Sequence, residues 1–146
     1  MTYVSRKIAA VAVLAGTLAF GFAGGQAWTA DRAAGQGDSV TPLMVQALAN
    51  IPGKSLTALT VDYAPGGTSP AHRHHASATL FAYVVSGAIR SQVNGGPTEV
   101  FKAGQFWVEP PGSTHGVSGN ASATEPAKLV VVAVGDTGAT LTTYDK

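Results

Sequence analysis

Four histidines, grouped in two short segments, are the residues of this chain best suited to chemistry. The first segment, His-Arg-His-His, holds His72, His74 and His75, and the second holds His115. Successive side chains of a strand point to opposite faces, so His72 and His74 share a face that His75 does not. Imidazole pairs of this kind suit Fe(II), Zn(II), Ni(II) or Cu(II). Because the sequence has no cysteine, any metal site must use nitrogen and oxygen donors.

Glu109, which lies close to the second histidine segment, is the one candidate for a catalytic residue. Gln105, Trp107 and Glu109 alternate along an expected strand and therefore share a face, and a Pro-Pro-Gly turn follows. If that face points inward, the carboxylate can be a fourth metal ligand, a general base or a partner that orients a ligand. If it points outward, Glu109 is a solvated residue before a turn. The sequence leaves both interpretations open.

Short strands separated by turns must position these side chains. Residues Ser55 to Tyr63 alternate in character, and further apolar runs up to Val134 are separated by glycine, proline and asparagine. No segment between them has a long helical period. This pattern predicts an all-β sandwich or barrel and argues against a βαβ architecture. Aromatic residues on such strands are core residues by default, although Tyr83 and Trp107 are candidates for lining a ligand cavity.

The first 27 residues have the pattern of a secretory signal peptide. Arg6 and Lys7 precede an apolar run, and the small residues Gly25 and Ala27 follow it. An uncleaved membrane anchor is the alternative, because the apolar run is only slightly shorter than the ~20 residues of a membrane span. In both cases we expect the domain to be exported, to the periplasm or the medium, and to touch a membrane only through this segment.

A single folded domain is expected after the signal peptide. Thr41 and Pro42 form a helix-start signal, which predicts a short helix that ends before Pro52. The predicted division is a signal peptide over 1–27, a linker and short helix over 28–50, the β domain over 51–140, and a C-terminal tail over 141–146.

Charge and motifs exclude several classes of function. Without residues 1–27, seven cationic residues face eight acidic ones, which gives a net charge of −1. No basic face remains, so nucleic-acid binding is not expected. The sequence also lacks a glycine-rich phosphate loop and a nucleophile elbow.

The two histidine segments resemble the paired motifs of the cupin superfamily, and the resemblance extends from about Ile51 to Val134. The first motif is Gly-x₅-His-x-His followed by a distant Gly. Its positions correspond to Gly66, His72, His74 and Gly87, and the spacer before Gly87 is slightly longer than in the motif. The second, Gly-x₅-Pro-x-Gly-x₂-His-x₃-Asn, is matched by Gly104, Pro110, Gly112 and His115, with Asn120 displaced by one residue. The resemblance implies a jelly-roll barrel, also called a double-stranded β-helix, in which His72, His74 and His115 bind one metal ion.

One ligand of the family pattern is missing. The family usually supplies a glutamate at a spacing that falls here on Thr79 or Leu80, and no acidic residue occurs between Asp62 and Glu99. Some cupins with three histidine ligands are dioxygenases, so the resemblance implies a divalent transition metal, Fe(II) before Zn, Ni, Cu or Mn.

The resemblance implies more than one function. The first is a dioxygenase-type oxidoreductase that binds a small organic substrate and O₂ at the open metal positions. The alternative is a non-catalytic module that binds or senses a small molecule or metal, and a metal-free sugar epimerase is a third candidate. Cupin barrels often pair through edge strands, so a homodimer is also expected by analogy.

Overall fold

The computed structural model describes residues 36–145, so the predicted signal peptide and the first part of the linker lie outside the described residues. The described residues form ten strands and no helix. The strands are β1 (Gln36–Ala47), β2 (Lys54–Ser69), β3 (His72–His74), β4 (Thr79–Ser86), β5 (Ala88–Val93), β6 (Glu99–Lys102), β7 (Phe106–Glu109), β8 (Thr114–Asn120), β9 (Ala127–Asp136) and β10 (Thr142–Tyr144). No helix that could cross a membrane therefore exists in this range.

The ten strands form one antiparallel sheet that curls into a nearly closed barrel. Its main path runs β10-β3-β8-β2-β9-β4-β7, while β1 pairs with β2, and β5 pairs with β6 and β8. The long strand β2 joins β9 to β8, because its first ten residues pair with β9 and its last two with β8. The prediction of an all-β barrel is confirmed, and the topology brings β3, β7 and β8 around one interior.

Alternation along β4 and β9 builds most of the core. Every second residue of each strand is buried, and burial of each Val or Leu side chain contributes roughly 1.5–3 kcal/mol. The buried residues of the two strands are Leu80, Ala82, Val84, Ala127, Leu129, Val131, Ala133 and Gly135. Several of these side chains are small, which leaves space inside the barrel.

The predicted short helix after Thr41 is wrong, because these residues belong to β1. This strand pairs with β2 from Gln36 opposite Thr68 to Ala47 opposite Ser55. The register shifts between Pro42 and Met44, and such an irregularity lets an edge strand accommodate a proline, which has no N–H to donate. Hydrogen bonding to a distant strand therefore overrides the local helix signal.

Replacing Gly87 with alanine is expected to destabilise the barrel by about 2–4 kcal/mol. Gly87 lies between β4 and β5 with φ of 71°, and an added Cβ would sit 2.6 Å from the carbonyl oxygen of Pro126. Gly95→Ala is the matched control, because Gly95 has φ of 68° but no neighbouring atom within 4 Å of a Cβ. The free energy of unfolding of Gly95→Ala should fall by only about 1–2 kcal/mol. Urea unfolding measures both, and equal losses would contradict the steric explanation.

Candidate metal centre

The first histidine pair lies on β3, which is the neighbour of β8 in the sheet. His72 and His74 are buried and Arg73 between them is exposed, as alternation requires. His72 lies directly opposite His115 of β8 in the strand pairing. The ring centroid of His72 is 5.0 Å from that of His74 and 5.1 Å from that of His115. One ring nitrogen of each histidine lies within 4.8 Å of the others, which is close enough to hold one metal ion.

Backbone carbonyls orient the two histidines of β3. Nδ1 of His72 is 2.8 Å from the carbonyl oxygen of Pro70, and Nδ1 of His74 is 3.2 Å from that of Leu141. A carbonyl can only accept, so each Nδ1 carries the proton and each Nε2 keeps its lone pair. This carbonyl support is the arrangement that holds histidine ligands in metal sites.

His115 is oriented by Ser91 on β5. Its Nε2 lies 2.9 Å from Oγ of Ser91, and its Nδ1 lies 3.3 Å from Oε1 of Glu109. His75, in contrast, is exposed, and its Nδ1 contacts Ser77 rather than the other imidazoles. The structure thus brings together the three predicted ligands and keeps the fourth histidine of the chain apart.

Glu109 points inward and is only 3% exposed, which decides between the two interpretations of the sequence. Trp107 Nε1 donates a 3.0 Å hydrogen bond to its Oε1, and its Oε2 lies 3.0 Å from Nε2 of His74. The contact with His74 lacks hydrogen-bond geometry, so both atoms are buried and neither has a hydrogen-bond partner among the described residues. Buried polar atoms are rarely left unpaired, and an imidazole nitrogen and a carboxylate oxygen side by side fit a cation as their common partner.

Glu109 lies across the strand pairing from the position at which the family motif has a glutamate and this chain has none. It lies directly opposite Leu80 in the β4–β7 pairing. Leu80 is buried and lines the same interior, whereas Thr79 is exposed, so Leu80 occupies the inward position expected of the motif glutamate. The carboxylate therefore reaches the site from the neighbouring strand.

Burial and the cluster itself set the protonation states. Desolvation lowers the pKa of His72 and lowers that of His115 to about 4, so both imidazoles are neutral near neutral pH. Desolvation alone would raise the pKa of Glu109, but His74 and His115 outweigh it and the pKa is lowered. Neutral imidazoles and an ionised carboxylate are the forms that bind metals.

The metal-free protein should lose stability in acid. Because the folded-state pKa of His115 lies below the unfolded value of 6.5, the unfolded chain binds more protons, and stability falls as pH drops from 6.5 toward 4. His115 alone accounts for up to about 3 kcal/mol. The pKa of Glu109 is also lowered in the folded state, so the loss of stability continues as the pH falls below the ordinary pKa of a glutamate. Urea unfolding with a chelator present, from pH 8 to 4, measures this, and a flat profile between pH 7 and 5 would contradict it.

The cluster lies at one side of a cavity of about 80 Å³ inside the barrel. Apolar residues of β1, β2, β4 and β9 form most of the remaining wall, and Trp107 forms part of it. Tyr83 does not line the cavity, which corrects the prediction for this residue. It faces outward on β4 and is 39% exposed, because inward-facing Ala82 and Val84 flank it.

A second polar group in the cavity was missed by the sequence reasoning. Tyr63, Ser69 and Ser118 line the wall, and Asp38 of β1 lies behind Ser69. Alternation along β2 places Tyr63 on the inward face and could have indicated it. Ser118 could not be found this way, because a register shift near His115 disturbs the alternation of β8.

The model of the cupin domain family matches residues 59–133, which contain both histidine segments. The chain belongs to the cupin family. In this cupin, Asn120 of the second motif is structural, since its Nδ2 donates to the carbonyl oxygens of Ala64 and Glu125. A search of curated proteins finds no significant match.

Solved structures agree with this assignment. An oxalate oxidase in complex with glycolate is 27% identical, with a TM-score of 0.57 over 75% of this cupin and 55% of that chain. This chain thus spans about half the length of the oxalate oxidase. A cupin-2 domain protein from Rhodospirillum rubrum is 15% identical (TM-score 0.56, over 77% and 68% of the two chains). A DMSP lyase is 20% identical (TM-score 0.53, over 62% and 44%). The last two show likeness of fold alone.

Proposed function

We propose that this cupin binds one divalent transition metal through His72, His74, His115 and Glu109. The observation that carries the proposal is the pair of buried, unpartnered atoms, Nε2 of His74 and Oε2 of Glu109, beside two further imidazoles. Three nitrogen donors and one carboxylate suit Fe(II) and Mn(II) as well as Zn(II), Ni(II) and Cu(II). We propose Fe(II) as the bound metal.

The bound metal would supply Lewis acidity and, if redox-active, a site for O₂. The residues of the chain have separate tasks. The carbonyls of Pro70 and Leu141 fix the tautomers of His72 and His74, and Trp107 holds one oxygen of Glu109. The apolar wall excludes bulk water, which strengthens electrostatic interactions inside.

We further propose that the ligand is a small organic anion. Three neutral imidazoles, one carboxylate and a divalent cation sum to a charge of +1, which a monocarboxylate would neutralise. The cavity of about 80 Å³ is smaller than the ~150 Å³ apolar cavity that accommodates benzene, so it favours short linear molecules over aromatic ones. The similarity to an oxalate oxidase that binds glycolate supports this class.

The reaction proposed is an O₂-dependent oxidation of this small acid. In a dioxygenase both oxygen atoms enter the substrate, as the sequence resemblance implied. In an oxidase the substrate loses two electrons and two protons, and O₂ gains them to give H₂O₂. Oxygen uptake by the Fe(II)- or Mn(II)-loaded protein, with H₂O₂ measured in parallel, distinguishes the two.

A non-catalytic binding module is the second candidate. Glu109 is the only acidic residue that lines the cavity in the described part of the chain, and as a metal ligand it would leave no free general base there. Elemental analysis of the purified protein tests the metal proposal that both candidates share. Metal binding without oxygen uptake for any small hydroxy- or dicarboxylate would favour the module, whereas absence of stoichiometric metal would overturn both.

Export is proposed from the sequence of residues 1–27 alone. Expression of the full chain in a bacterial host, followed by mass spectrometry of the periplasmic fraction, should find a mature protein that begins near Trp28. Recovery of only the full-length chain in the membrane fraction would favour the uncleaved anchor. The homodimer stays a prediction.

A further inference from the structure

A chain of hydrogen bonds runs from the cavity to the first strand. Oγ of Ser118 is 2.7 Å from the Tyr63 hydroxyl, which is 2.9 Å from Oγ of Ser69. Ser69 in turn donates to Oδ2 of Asp38 at 2.7 Å. Tyr63, Ser69 and Ser118 line the cavity, and Tyr63 and Ser118 are almost fully buried.

Counting protons fixes the direction of this chain. The Asp38 carboxylate only accepts, so Ser69 uses its single proton on Asp38 and can only accept from Tyr63. Tyr63 must therefore donate to Ser69, and burial raises its pKa, which keeps the phenol protonated. The Tyr63 hydroxyl oxygen can then only accept a hydrogen bond from Ser118, so the Ser118 hydroxyl donates its proton to Tyr63. Within residues 36–145 the Ser118 hydroxyl has no other hydrogen bond, so its oxygen can only accept from a molecule in the cavity.

We propose that Ser118 is a ligand-recognition site that accepts a hydrogen bond from a hydroxyl group at the end of the ligand remote from the histidines. The inference rests on the proposed function, in which the other end of the ligand is a carboxylate at the metal. Ser118 lies three residues beyond His115 on β8, roughly 7–10 Å along the strand. The ligand class is thus a short hydroxycarboxylate. A ligand group that can only accept hydrogen bonds would face the lone pairs of the Ser118 oxygen and would be repelled.

The test compares 3-hydroxypropanoate with 3-fluoropropanoate, which is similar in size but has no proton to donate. Titration calorimetry on the Zn(II)-loaded protein avoids turnover. The wild type should bind the hydroxy acid about tenfold more tightly, the effect of one buried hydrogen bond. Ser118→Ala should remove this preference while its metal content stays unchanged. A preference caused by chelation of the metal through the hydroxyl would persist in Ser118→Ala and would overturn the proposal.

Ser55→Ala is the matched control. Ser55 is also buried and also has one hydroxyl partner, Thr137, but it lies outside the cavity. This variant should keep the wild-type preference. Equal affinity of the two acids for the metal-loaded wild type, or no binding of either, would overturn the inference even if Ser118→Ala fails to fold. Failure of the wild type to bind Zn(II) would instead overturn the proposed metal site.

Discussion

Replacing His72 or His115 with alanine should lower metal affinity by at least 100-fold. Each variant removes one of three nitrogen donors that lie within 4.8 Å of one another. Loss of a residue that merely orients a ligand already costs about 10–100-fold, so loss of a direct ligand should exceed that range. Elemental analysis after dialysis, together with competition against a chelator of known affinity, gives the measurement.

His75→Ala is the control for this experiment. His75 belongs to the same His-Arg-His-His segment, but it is exposed, and Ser77 is its only side-chain hydrogen-bond partner in the described part of the chain. It should retain wild-type metal content. Equal loss of metal in His75→Ala and His72→Ala would mean that the metal is held by the loop surface and not by the interior cluster. Circular dichroism checks that all variants keep the β fold.

Exchanging Leu80 and Glu109 should test whether the carboxylate can reach the metal from either strand. Glu109→Leu alone is expected to weaken metal binding by about 10–100-fold, because it removes the only carboxylate of the donor set. The double variant Leu80→Glu with Glu109→Leu should regain affinity to within about tenfold of the wild type. Leu80 lies opposite Glu109 and also faces the cavity, so the exchange conserves side-chain size and total charge.

Thr79→Glu combined with Glu109→Leu is the matched control for the exchange. Thr79 is exposed on the outer face of β4, so a glutamate there cannot reach the cluster and affinity should stay low. If Glu109→Leu binds metal as tightly as the wild type, the carboxylate is not a ligand and the site has three histidines only. The same chelator competition measures all variants.

The histidine cluster could be predicted from the sequence because local rules specify it. A strand places His72 and His74 on one face whatever the rest of the fold does. The spacing of the second motif then identified His115, which the structure brings opposite His72. The all-β class likewise follows from short apolar runs and turn residues.

Features that depend on pairing between distant strands could not be predicted. The register of β7 against β4 determines that the Glu109 side chain faces inward. The pairing of β1 with β2 determines that residues 36–47 form a strand. Tyr83 and Trp107 were equivalent in sequence, as aromatic residues on expected strands. They face opposite ways because the registers of their strands place Ala82 and Trp107 on the inward face.

The shortness of β3 has a consequence for dynamics. This three-residue strand carries two of the proposed metal ligands, and among the described strands it pairs with β8 on one side and β10 on the other. An ion bound to His72, His74 and His115 would tie β3 to β8, and a ligand that binds only the native state raises its stability by mass action. Metal occupancy would then regulate how often this corner of the barrel opens, and amide hydrogen exchange at β3 and β10 would report it residue by residue.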